Sequence, residues 1–96
     1  MLPVRALDDR VHGKVRLAIL TLLLRHGAMP FLALRRATRT TDGNLAVHLQ
    51  KLEAAGFVEL TRDFEGPRRR TSATLTKEGR SAYGAYLTEL RAWLNL

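Results

Sequence analysis

Apolar residues recur along this 96-residue chain at two different periods, and the change between them separates helical from extended parts. Over residues 10–25 the spacing predicts a helix that is apolar on two sides. Val11, Val15, Ala18, Ile19, Leu22 and Leu23 form one stripe; Leu17, Leu20 and Leu24 form a second that needs cover from another helix or a second subunit. Residues 1–8, with Pro3, read as a short arm, and Asp8 or Asp9 can cap the helix. Arg25 and His26 suit its negative end, where Gly27 stops it. Ala28, Met29 and Pro30 form a link that could add one or two residues at a sheet edge. Pro30 either opens a second, short helix or lies just before it, with Phe31, Leu32, Leu34 and Ala37 on the buried side. Residues 38–41 are polar and threonine-rich, which predicts a turn.

Residues 42–55 return to helical spacing, with Leu45, Leu49 and Leu52 on one face. Thr41 is the expected N-cap, Asp42 sits at the positive end, and Gly56 terminates the helix. The period then changes. Residues 57–62 have strand composition, residues 63–70 (DFEGPRRR) read as a turn around Gly66-Pro67, and residues 71–76 return as a strand. Thr76 caps a final helix with Gly79 at its N3 position, so no capping box is available. Tyr83, Tyr86, Leu87, Leu90, Trp93 and Leu94 run down one face of that helix. With few partners left inside the chain, that stripe is expected to bury against another subunit. The expected fold is α+β: a winged helix-turn-helix with a two-stranded wing and a C-terminal dimerisation helix. It forms one domain over residues 8–96, with 77–96 as the last helix.

Charge sharpens the picture. The net charge is +7, with sixteen basic residues against nine acidic, which favours an anionic partner. The absence of cysteine excludes disulfides and thiolate chemistry. His12, His26 and His48 are not spaced as a metal site, so no metal or other cofactor is expected. No nucleophile, histidine and acid fall into a recognisable constellation, and no glycine-rich phosphate loop is present; an enzyme is not expected. The start of the chain lacks the layout of a secretory signal and the longest apolar run is too short to span a bilayer, which points to the cytoplasm.

The face of the third helix opposite its leucines carries Asn44, Val47, His48 and Lys51. In a helix-turn-helix that face meets base edges. Asn44 can pair with adenine, His48 and Lys51 can donate to base acceptors or phosphates, and Val47 can touch a thymine methyl. Gly43 permits close approach, and Thr40 and Thr41 can bond phosphates at the helix start. Asp42 is better suited to capping than to accepting from cytosine. Arg35, Arg36 and Arg39 are candidates for flanking phosphates, and Arg68, Arg69 and Arg70 on the wing for phosphates or the minor groove. The dimer contact is expected from Leu17, Leu20 and Leu24 with Tyr83, Tyr86, Leu87, Leu90, Trp93 and Leu94. Two other uses of such a fold remain: a protein-interaction module and a non-specific architectural DNA binder.

Three segments, VRLAILTLLLRHG, TTDGNLAVHLQKLEAAGFVEL and FEGPRRRTSATLTKEGRSAYGAYLTEL, give the chain a family resemblance from about residue 8 to residue 94. It resembles the small winged-helix DNA-binding proteins grouped near the MarR and ArsR transcriptional regulators. The resemblance implies a homodimer on pseudo-palindromic double-stranded DNA, often acting as a repressor, that dimerises through terminal helices. Carried to this chain, the DNA-contacting positions are Asn44, His48 and the wing arginines. The chain is short for the MarR pattern and lacks the cysteine and paired histidine ligands of metal-sensing ArsR-like relatives. Metal sensing therefore has no support; a small-molecule effector is possible but unsupported, and would have to use the dimer cleft between the first and last helices.

Overall fold

A computed structural model describes residues 7–96. In chain order the elements are α1 (Lys14–His26), β1 (Met29–Pro30), α2 (Phe31–Thr38), α3 (Asp42–Ala54), β2 (Val58–Glu65), β3 (Arg68–Leu75) and α4 (Lys77–Leu94). The strands form one antiparallel sheet in the order β1-β3-β2. Pro30, which has no N–H to give a ladder, sits on the two-residue edge strand opposite Ser72.

The central helix starts later than its pattern suggests. Residues 8–11 form a turn in which the Asp8 carbonyl accepts from Val11 N at 3.0 Å and His12 N at 2.8 Å. The Asp8 carboxylate takes the main-chain N–H and guanidinium of Arg10, and that hydrogen bonding holds its pKa below the usual carboxylate range. Asp8 therefore caps a turn and not α1, whose N-cap is Gly13 without a side-chain bond. The arm reading is corrected at Leu7, which is buried in the core; the rest of the expected arm, residues 1–6, lies outside the described residues.

The other helix ends follow local chemistry. Pro30 lies just before α2 as its N-cap, and Arg39 ends α2 in the left-handed region at φ 53°. Thr41 Oγ1 caps α3 by accepting from Asn44 N at 3.1 Å. At its far end Phe57 N donates to Leu52 O and Gly56 N to Glu53 O, both at 2.9 Å, with Gly56 at φ +79°. This is a Schellman stop, and Phe57 just beyond it is buried. Thr76 caps α4 by accepting from Gly79 N at 2.9 Å.

The core is one cluster built from Leu7, Val11, Ile19, Leu20, Leu23, Leu34, Leu45, Leu49, Leu52, Phe57, Val58, Ala73 and Tyr86. Helix α1 runs through it, touching α2, α3, α4 and β3. That arrangement changes two expectations. Leu20, expected at a dimer face, is fully buried inside the chain, because α4 returns across α1 and covers that side. Tyr86 is buried in the same way, with its hydroxyl 2.7 Å from His12 Nδ1. Tyr83 bonds Thr21 through its hydroxyl at 2.7 Å, and Leu90 and Trp93 pack half-buried on the core. Most of the α4 stripe thus finds partners within its own chain.

The wing is longer than its sequence suggests. Strands β2 and β3 stay paired from Val58↔Leu75 out to Glu65↔Arg68, leaving only Gly66 and Pro67 as the turn. Gly66, at φ +62°, takes the first turn position that favours glycine in a two-residue hairpin. Residues expected in a loop pair because opposite charges face each other across the strands, Asp63 against Arg70 and Glu65 against Arg68. The molecule measures 54 Å along its longest axis against 25 and 22 Å along the others.

Candidate nucleic-acid interface

Helix α3 divides its side chains cleanly. Leu45, Leu49 and Leu52 anchor it, while Thr41, Asp42, Gly43, Asn44, Val47 and Lys51 are exposed. Nothing lies within 4 Å of where a Cβ on Gly43 would stand, so this start of the helix is open to close approach. The Asn44 amide donates from Nδ2 to Thr40 Oγ1 at 2.8 Å, which fixes its orientation and leaves one N–H and the carbonyl oxygen unused. His48 is half-buried, with Nδ1 3.2 Å from Arg16 Nη1. Burial first, and then the charges of Arg16 and Lys51, hold its pKa below the ordinary histidine value.

The arginines of α2 separate into different roles. Arg35 Nε lies 3.0 Å from Asp42 Oδ1, so this pair bridges α2 and the first turn of α3. Arg36 and Arg39 are exposed. Thr38 is turned inward, bonding Leu34 O at 2.7 Å. Lys14, Val15 and Ala18 of α1 with Thr38, Arg39, Thr40 and Asn44 surround a shallow hollow of about 390 Å³ at the start of α3. Lys14 was not singled out from the sequence, since nothing in its neighbourhood marked it as facing the start of α3.

On the wing Arg68, Arg69 and Arg70 are all exposed, on a strand and not in a loop. Strand alternation puts Arg68 and Arg70 on one face with Asp63 and Glu65, where Arg70 Nη1 pairs with Glu65 Oε2 at 3.3 Å. Arg69 faces the other way, opposite Phe64, whose ring is 74% exposed. Sequence reasoning passed over Phe64, which it placed in the turn 63–70; only the continued ladder puts it on a strand that has left the core behind. A cavity of about 810 Å³ lies between α2 and the wing, with Phe31, Leu32 and Pro67 among its apolar walls and Arg36 and Arg69 among its charged ones.

Other apolar residues are exposed at α1 and the C-terminal end, where Leu96 is 82% exposed. Leu24 and Leu87 are each 37% exposed, Leu94 is 54% exposed, and Leu17 is half-buried. No helix among the described residues is long and apolar enough to cross a membrane, and no group of three or more His, Cys, Asp or Glu among them could hold a metal ion.

Comparison with known proteins agrees with this geometry. Residues 15–94 match the family model described as "Winged helix DNA-binding domain". An uncharacterised protein of Methanocaldococcus jannaschii is 40% identical over 76 residues, covering 79% of this chain and 83% of that protein. Among solved structures, a transcriptional regulator homologue from Pyrococcus horikoshii superposes with a TM-score of 0.84 at 28% identity, over 92% of this chain and 87% of that one. A MarR-family regulator from Enterococcus faecalis, described as putative, gives a TM-score of 0.75 at 31% identity, over 91% and 77%.

Proposed function

Since this chain belongs to the winged-helix DNA-binding domain family and is related to the MarR and ArsR transcriptional regulators, we propose that it is a dimeric, sequence-specific repressor of transcription. In this reading α3 lies in the major groove of double-stranded DNA while the wing grips the adjacent backbone or minor groove. One observation carries it. A helix anchored by three buried leucines leaves Thr41, Gly43, Asn44, Val47 and Lys51 open, and the hairpin that starts where it ends carries three exposed arginines.

Each contact has a chemical basis. Asn44, oriented by Thr40, offers the donor and acceptor pair that adenine matches at N7 and N6. Lys51 and His48 donate to base acceptors or phosphates, and Val47 meets a thymine methyl. Backbone N–H groups at the start of α3, with Thr40 and Thr41, suit a phosphate, and Arg36 and Arg39 lie close in sequence for its neighbours. Arg68, Arg69 and Arg70 supply the second grip. The second subunit covers Leu24, Leu87 and Leu94 with the exposed edge of Leu17.

Selection of bound duplexes from a random library tests the proposal. The protein should enrich a motif of two related half-sites, preferred over random duplex by about 10³-fold or more. Asn44→Ala should relax one position in each half-site by about tenfold. Equal affinity for every duplex would leave only an architectural DNA binder. A folded protein that binds no duplex would point to a protein-interaction module.

A further inference from the structure

Arg16 is an arginine on a helix otherwise rich in aliphatic residues, and its guanidinium reaches across to the reading helix. Nη2 donates to the main-chain carbonyl oxygens of Asp9, at 3.3 Å, and His12, at 2.5 Å. Gly13 leaves room for this: a Cβ there would stand 3.0 Å from Nη2. Two carbonyls and a glycine thus aim the guanidinium, and the remaining branch, Nη1, points at His48 Nδ1 from 3.2 Å. Arg16 Nε is buried with no hydrogen-bond partner, so the half-buried side chain is seated against the structure at that atom.

The contact has a chemical consequence. A guanidinium only donates, so the imidazole nitrogen facing it must offer a lone pair. The single ring proton of neutral His48 then resides on Nε2. The same surroundings, with burial first and the charges of Arg16 and Lys51 after it, favour the neutral ring.

We propose that Arg16 is a positioning residue that locks His48 in the Nε2–H tautomer, so that α3 offers DNA a donor, and never an acceptor, at that place. The proposal rests on the reading of α3 as the base-contacting helix. In the major groove a lone donor is matched by guanine N7 and O6, by adenine N7 or by thymine O4, and is opposed by the amino group of cytosine. A histidine free to carry its proton on either nitrogen would accept both kinds of edge. A locked one discriminates against cytosine.

Two measurements decide it. Long-range ¹⁵N–¹H correlation spectra of the free protein at about pH 7.5, above the ordinary histidine range, report the tautomer without DNA. The expected result is one neutral His48 ring protonated at Nε2; an Nδ1–H form or an even mixture overturns the proposal. Selection from a random duplex library is then repeated with His48→Ala, which identifies the half-site position His48 reads, and with Arg16→Met. Arg16→Met should lose discrimination against cytosine at that position by about tenfold, while the preference set by Asn44 persists. Unchanged discrimination in Arg16→Met overturns the positioning role. The same spectrum of Arg16→Met should show His48 as a mixture of tautomers; an unchanged pure Nε2–H ring overturns the positioning role, and if Arg16→Met does not fold, Arg16→Gln takes its place in both measurements. If the wild-type protein selects no motif, the regulator reading fails, and the comparison of wild-type and variant spectra still tells whether Arg16 fixes the ring.

Discussion

At Gly79 the first turn of α4 comes against the Phe57 carbonyl, and a Cβ there would overlap that oxygen and stand 2.8 Å from Leu75 Cδ1. The Phe57 carbonyl also accepts from Thr76 N at 3.0 Å, so the backbone on which α4 rests cannot simply move aside. Gly79→Ala should therefore destabilise the fold by about 1–3 kcal/mol, read as a lower urea midpoint. Gly84, on the same helix with nothing within 4 Å of its Cβ position, is the control. Gly84→Ala should stabilise by about 0.5–1 kcal/mol, because only helix propensity changes. At His48 the sign of the pH effect follows from the depressed pKa. The unfolded chain binds the proton more readily, so His48 leaves stability intact above the ordinary histidine pKa of about 6.5 and lowers it as pH falls below that value. Urea titrations at about pH 7.5 and pH 5.5 should show this loss, and His48→Gln should shrink it.

Elements are set by signals of different range. The caps of α3 and α4 are spelled locally: Thr41 and Thr76 each bond an N–H three residues on, and Gly56 closes a Schellman stop. These were legible because every atom involved lies within six residues. The start of α1 was not, since Gly13 at φ +143° breaks the helical path between the turn at Asp8 and Lys14. The wing was legible but its length was not, because charged residues read as loop, whereas cross-strand pairing of opposite charges and a two-residue turn let the ladder continue. Its function can be tested as a unit. Replacing Arg68, Arg69 and Arg70 together by alanine should weaken binding to all duplexes alike and flatten the slope of log affinity against log salt by about 3 for each subunit bound. Titration of one selected duplex at several salt concentrations measures both.

For the whole molecule, association is the open consequence of the fold. The intrachain contacts of α4 leave its Leu87 and Leu94 exposed, together with Leu24 of α1. Sedimentation at micromolar concentration should give about twice 10.8 kDa. Leu87→Glu with Leu94→Glu should yield a folded monomer, with unchanged far-ultraviolet circular dichroism and weakened binding to a two-half-site duplex. A wild-type monomer under those conditions would remove the two-half-site arrangement. Tyr86→Phe would not serve as an interface test, because it acts on the buried bond to His12.

The chain by itself determined the succession of helices and strands, the buried leucines of α3, and the polar face they leave open, because period, caps and turn residues act over a few neighbours. Tertiary structure decided which side of α1 is covered, that Tyr86 belongs to the core, and that Arg16 meets His48. Those contacts join residues 74 and 32 positions apart for the two histidine bonds. No local pattern encodes them: they exist because α4 folds back over α1 and α1 lies across α3, and the energy of each depends on groups that only the folded chain brings together.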